Sequence, residues 1–137
     1  MAVYDDCIVF LLAKAFQKAH GNMKERLRIY DLTPPQHLVL EALWEEEGLS
    51  AGDIGRKLVL DSATVSGILD RMVEGGWIIK KTDEEDNRFI RVYISSKAKE
   101  LKSSLIEERK EANENILSGL TFEESVLLKR LLRDIRA

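Results

Sequence analysis

The side chains with chemical reach in this sequence are better suited to gripping a partner than to breaking bonds. Its two histidines, His20 and His37, stand 17 residues apart, and with the single Cys7 they form no metal-ligand pattern. No hydroxyl, thiol or amine is spaced against a base as an activated nucleophile, and no glycine-rich loop cradles phosphate. Neither an enzyme nor a metal or cofactor is expected. The informative stretch is Ser62-Ala63-Thr64-Val65-Ser66-Gly67. The hydroxyls of Ser62, Thr64 and Ser66 can bond phosphates or base edges, Ala63 can touch a thymine methyl, and Gly67 permits close approach. A helix that enters a major groove only ~12 Å wide needs such short polar side chains on its leading face. Arg71, two turns beyond Thr64, is placed to hold a phosphate or reach a guanine. Further on, Asn87 and Arg88 sit in a polar turn, and an arginine there suits a narrow, negative minor groove.

The elements that must carry these residues follow from periodicity and capping. Ile8, Leu12, Ala15, Ala19, Met23 and Leu27 recur in steps of three or four, a long helix over roughly 4–29. Thr33, Pro34 and Gln36 make an N-cap, a first helical position and a capping box, and the helix they start carries Leu38, Leu40, Leu43 and Trp44. Ser50 with Asp53 starts a third helix, with Ile54 and Leu58 inward. Asp61-Ser62 caps a fourth, whose apolar stripe is Val65, Leu69, Met72 and Val73 and which ends at Gly75-Gly76. Two β-prone runs, Trp77 to Ile79 and Phe89 to Ile94, flank the polar segment 80–88. A helix pair followed directly by a hairpin is the winged form of helix-turn-helix. The tail reads as two helices, one over about 96–117 with Leu101, Leu105, Ala112 and Ile116, the next opened by the Thr121/Glu124 capping box. The expected fold is mainly α with a small β-hairpin wing. Its divisions are an N-terminal dimerisation helix (1–30), a winged helix-turn-helix domain (31–95) and C-terminal dimerisation helices (96–137).

Charge argues the other way. The 137 residues carry a net charge of −3, and residues 50–94 hold eight acidic against seven basic side chains. Binding through phosphate neutralisation needs a local basic surface, so Arg56, Lys57, Arg71, Lys80, Lys81 and Arg88 would have to gather on one face. A winged-helix module that binds protein rather than DNA therefore stays open, and steep salt dependence of duplex binding would separate the two. No run approaches the ~20 apolar residues of a membrane span, and the start lacks a secretory pattern. A cytoplasmic protein is expected.

From Leu32 to Leu101 the chain resembles the MarR family of winged helix-turn-helix regulators. The matching stretches are Leu32-Thr33-Pro34-Pro35-Gln36-His37-Leu38-Val39-Leu40, Leu60-Asp61-Ser62-Ala63-Thr64-Val65-Ser66, Leu69-Asp70-Arg71-Met72, Gly76-Trp77-Ile78, the acidic run from Asp83 to Arg88, and Val92-Tyr93-Ile94-Ser95. The wing motif Asp86-Asn87-Arg88 is the most specific. The resemblance implies that Arg88 enters the minor groove and that Asp86 braces an arginine. One departure is the lack of a basic residue near Gly67, which points to modest base-specific affinity or to greater reliance on the wing.

The resemblance also implies a transcriptional repressor on a pseudo-palindromic double-stranded operator. The apolar surplus of Leu11, Leu12, Leu127, Leu128, Leu131 and Leu132 points independently to a homodimer. Family members respond to small molecules, often aromatic acids, and the candidate lining residues are Phe16, His20, Tyr30 and His37. His37 stands where the family usually has an aromatic residue, and it can titrate near neutral pH. A thiol-based switch at Cys7 is the rival reading. The organic-peroxide sensors of the family place their reactive cysteine at the position of Val9 and a partner tyrosine at that of Met23, so Cys7 is expected to be buried or incidental. Asp5 and Asp6 beside it oppose a reactive thiolate.

Overall fold

A computed structural model describes residues 1–136, so the last residue of the tail, Ala137, lies outside the described residues. The chain forms two compact units, one from residues 27–106 and one from residues 1–26 with the tail from Glu107 onward.

The 27–106 unit is built from capped helices around a three-stranded sheet. Helix α1 (Ile8–Leu27) runs into a 3-10 turn, Arg28–Tyr30, rather than continuing to residue 29. Thr33 then starts α2 (Pro34–Glu45) with the expected capping box. Its hydroxyl accepts the Gln36 N–H, and the Gln36 side chain accepts the Thr33 N–H. Val39, Leu40 and Leu43 of α2 are fully buried, whereas Leu38 points outward and is 49% exposed. Gly48 turns the chain at φ +80°, a conformation open to glycine without strain, into β1 (Leu49–Ser50). Ser50 and Asp53 close the second capping box and open α3 (Ala51–Leu58).

Two close approaches make the corner between α3 and α4 (Ser62–Glu74). A Cβ on Gly55 would stand 3.0 Å from the Leu60 carbonyl oxygen and 3.4 Å from the Val65 side chain. Only glycine lets the helices meet there without displacement. The other constraint is Val59, held in the left-handed region at φ 56°. A β-branched residue is strained there by roughly 1–2 kcal/mol. Val59→Gly is therefore expected to raise stability by about 1 kcal/mol after the extra entropy of glycine in the unfolded chain is subtracted. Thermal melting would register this as a higher midpoint.

Helix α4 buries Val65, Ile68, Leu69 and Met72. Val73, expected in that stripe, lies about 100° past Met72 on the helical wheel and is 43% exposed; Ile68 takes the inward position. The helix ends in a Schellman pair, the Trp77 N–H to the Met72 carbonyl and the Gly76 N–H, at φ +76°, to the Val73 carbonyl. Strands β2 (Ile78–Thr82) and β3 (Ile90–Ile94) pair antiparallel, Ile78 opposite Ile94 and Thr82 opposite Ile90. The hairpin thus takes in Lys80, Lys81 and Thr82, which read as loop from sequence. The sheet has the order β1-β3-β2, with Leu49 opposite Val92. The short β1 carried no sequence signal beyond a two-residue stretch before a helix. Ser95 ties the wing to the end of α4, its hydroxyl donating to the Gly76 carbonyl at 2.6 Å. It also caps α5 (Ser96–Glu100), which Leu101 separates from α6 (Lys102–Ile116), so the expected single helix over 96–117 is two.

In the other unit, Arg26 bonds Glu111 at 2.9 Å and Asn22 bonds Asn115 at 3.3 Å, joining α1 to the later part of α6. Ala112 is buried at this seam. The Thr121/Glu124 box opens α7 (Phe122–Arg136) as expected. None of the described residues of α7 is buried in the single chain.

Candidate nucleic-acid interface

Asp61 sets the start of α4, its carboxylate accepting the Thr64 N–H at 2.7 Å. That bond holds the Asp61 carboxyl below the usual aspartate range. The cap leaves the first turn of α4 outward. Ser62, Ala63, Thr64 and Ser66 are exposed, while Val65, between them, is buried. Gly67 has open space where a Cβ would stand, so a partner can approach the helix backbone there. Arg71 is exposed on the same helix and makes no ion pair among the described residues. An open depression of about 490 Å³ lies at the helix-turn-helix corner, between Gly52, Arg56, Val59 and Ser62.

The wing holds its arginine out to solvent on three hydrogen bonds. Arg88 Nε and Nη2 donate to the two carboxylate oxygens of Asp86 at 3.0 and 2.9 Å, and its backbone N–H donates to the same carboxylate at 3.1 Å. The Arg88 side chain is nonetheless 86% exposed. Asp86 thus orients the guanidinium without burying it, and the pairing pulls the Asp86 carboxyl down and the Arg88 guanidinium up from their ordinary values. Asn87 is exposed in the same turn. Asp83, which read from sequence as one carboxylate among several, caps the loop by accepting the Glu85 N–H at 2.8 Å. The Arg91 guanidinium at 2.7 Å, with the Glu85 N–H second, holds the Asp83 carboxyl low. Arg91 escaped notice because one cation alternating with Ile90 and Val92 looks like an ordinary outward strand residue.

The basic side chains do not gather as an unpaired cationic face. Five of the seven in 50–94 are matched to carboxylates: Arg56 to Asp53, Lys57 to Glu46 at 3.6 Å, Lys80 to Asp70 at 3.0 Å, Arg88 to Asp86 and Arg91 to Asp83. Lys81 lies over the Tyr93 ring at 5.1 Å. Near-balanced charge in this segment resolves largely into local pairs, because five of its seven cations find an acid within reach of a short side-chain swing. Exposed pairs of this kind are worth only about 0–1 kcal/mol, so a phosphate can replace a carboxylate at small cost.

Acid should loosen this surface. Asp61, Asp83 and Asp86 have lowered pKa values, so the folded protein keeps them ionised where the unfolded chain already takes up protons. Their contribution to stability is complete above the ordinary aspartate value of 3.8 and is lost as pH falls through the depressed values. The melting temperature is expected to decline below about pH 4, less steeply in Asp61→Asn, as thermal scans across acid pH would show.

The residues suggested for an effector are divided between the two units. Phe16 and His20 stack at 5.1 Å between ring centroids in the unit containing residues 1–26. Tyr30 and His37 belong to the 27–106 unit. His37 is buried, with Nε2 3.5 Å from Glu41 and its ring edge-on to Trp44 at 6.2 Å. Cys7 is exposed, so of the expected alternatives, buried or incidental, burial does not hold, and it precedes α1 instead of lying on it. Burial fails because the first turn of the chain, Val3–Asp6, contributes no buried residue.

A sequence profile of the MarR family matches residues 32–90. The chain is 33% identical over 100 residues to the organic hydroperoxide resistance transcriptional regulator of Bacillus subtilis, covering 73% of this chain and 68% of that one. It is 38% identical over 97 residues to the regulator TtmR of Methylorubrum extorquens, where the match spans 71% of this chain and 48% of the relative's length. A solved structure of Bordetella bronchiseptica BpsR, from a study of how 6-hydroxynicotinic acid regulates its DNA binding, has the same fold. Its TM-score is 0.91 at 23% identity, over 99% of this chain and 97% of that one. The capped α3–α4 pair, the braced wing arginine and these likenesses together identify this chain as a member of the MarR family.

Proposed function

We propose that this MarR-family chain is a homodimeric transcriptional repressor of the cytoplasm, a binding protein rather than an enzyme, that reads a pseudo-palindromic duplex operator. The first turn of α4 enters the major groove with Ser62, Ala63, Thr64, Ser66 and Gly67 toward the bases and Arg71 toward phosphate. Asn87 and Arg88 enter the adjacent minor groove. The observation that carries this reading is the exposed Arg88 guanidinium, gripped by Asp86 on a hairpin that follows the reading helix directly.

The dimer rests on apolar surface that the single chain leaves in water. Phe122 and Ile135 are 79% and 62% exposed, and Leu127, Leu128, Leu131 and Leu132 of α7 lie between 37% and 48%. A contiguous apolar stripe of this kind calls for a partner, and a second copy supplies the same stripe about a two-fold axis. A small aromatic acid is the effector class, bound near Phe16, His20, Tyr30 or His37 and acting by altering the spacing of the two reading helices. This takes its support from the regulation named for BpsR. A thiol-responsive regulator is the second reading, favoured by the exposure of Cys7.

Affinity selection of random duplexes at two salt concentrations, with sedimentation to fix the stoichiometry, tests the proposal. Enrichment of a pseudo-palindrome bound by two chains, with affinity falling steeply as salt rises, is the expected result. Tight binding to protein partners with no enriched duplex at either salt would replace it with the winged-helix interaction module.

A further inference from the structure

The wing tip stands at the end of an unbroken run of hydrogen bonds that begins on the helical body. The Gly48 carbonyl, at the turn between α2 and β1, accepts Arg91 Nη1 at 3.0 Å. Nε of the same guanidinium donates to Asp83 Oδ2 at 2.7 Å. The other oxygen of Asp83 accepts the backbone N–H groups of Glu85 and Asp86 at 2.8 and 3.3 Å. Asp86 then accepts both side-chain donors and the backbone N–H of Arg88. A two-stranded hairpin beyond the edge of a small sheet has little stiffness of its own. Here the planar fork of Arg91 spans from the body to the wing loop, and the fork geometry resists bending as one flexible ammonium would not. Asp83 is only 16% exposed at its side chain, with both oxygens committed to the loop and the strut.

We infer that Arg91 and Asp83 are positioning residues for DNA recognition, a strut that fixes the direction in which Arg88 is presented to the minor groove. The inference rests on the proposed groove contact of Arg88. Its physical content is preorganisation: a wing already aimed loses little conformational freedom on binding, whereas an untethered wing must be ordered each time.

The sign of one substitution separates this from ordinary electrostatics. Asp83→Asn removes a negative charge beside the DNA, which by itself strengthens binding. It also removes the ionic link to Arg91, which on the present inference weakens binding by roughly tenfold. The probe is a duplex recovered by the wild-type protein from a random pool, titrated at fixed salt against wild type, Asp83→Asn, Arg91→Lys, Arg88→Ala and the two pairwise combinations with Arg88→Ala. Weaker binding by Asp83→Asn and Arg91→Lys, with melting temperatures near wild type and no further loss in the Arg88→Ala background, is expected. Unchanged or tighter binding by Asp83→Asn overturns the strut. So does an equal loss with and without Arg88, since that marks a direct DNA contact or a general effect on the fold. If Arg88→Ala alone leaves affinity unchanged, the groove contact fails first and the strut falls with it.

Discussion

Arg88→Ala is expected to weaken operator binding on the order of 10²-fold while leaving the melting temperature unchanged. Each arginine lost from a groove costs about 1–3 kcal/mol, and the proposed dimer loses two at once. Stability is spared because the side chain is 86% exposed and its ion pair is with Asp86, a neighbour in the same turn; surface pairs contribute about 0–1 kcal/mol. The slope of affinity against salt should fall by about one unit for each wing, since fewer counterions are released. Arg88→Lys should recover the salt slope but only part of the affinity, because an ammonium is not a planar fork and fits a narrow groove less well. Titrations of the selected duplex at several salt concentrations measure both quantities. Wild-type affinity in Arg88→Ala would remove the wing from the interface.

Trp77→Ala should be the most damaging single change in the 27–106 unit, costing about 3–5 kcal/mol of stability. Trp77 is 2% exposed and sits where three elements meet. Its N–H closes the end of α4 on Met72, its carbonyl accepts the Ser95 N–H, and Lys97 lies 4.2 Å above its ring while donating to the Gly75 carbonyl. Truncation leaves a cavity the size of an indole between α4 and the base of the wing, and removes a cation–π contact of about 0.5–1 kcal/mol. Against a typical total of about 5–15 kcal/mol the loss is large enough to lower the denaturation midpoint sharply. Trp77→Phe should keep most of the stability, and urea unfolding of the pair separates packing from the backbone bonds, which both variants retain.

These two residues show how unevenly the sequence speaks. Helix starts were legible because caps are local: Thr33 with Gln36, Ser50 with Asp53 and Thr121 with Glu124 each close on a residue three positions away, and the structure has all three. Steps of three and four found the helices and two β-prone runs flanking a polar segment found the hairpin, so the winged fold could be read. The exposed first turn of α4 was legible for the same reason, since Val65 must turn inward if Ser62, Thr64 and Ser66 turn out.

What sequence left open depends on residues far apart along the chain. Arg91 reaches Gly48 across 43 positions, and no spacing rule joins them. Pairing of β1 with β3 is equally non-local, and its two residues are too few to show a period. Charge left its question open in the same way, because counting eight acids and seven bases cannot tell a repelling surface from a set of ion pairs; side-chain reach in three dimensions decides that. Local hydrogen bonding and periodicity are written in neighbouring residues and by themselves determined the helices, their caps and the wing, while the Asp86-Asn87-Arg88 motif was legible through the family resemblance. Which cations are paired and how the wing is tied to the body were decided only by tertiary packing, because those energies arise between groups that the fold alone brings within reach.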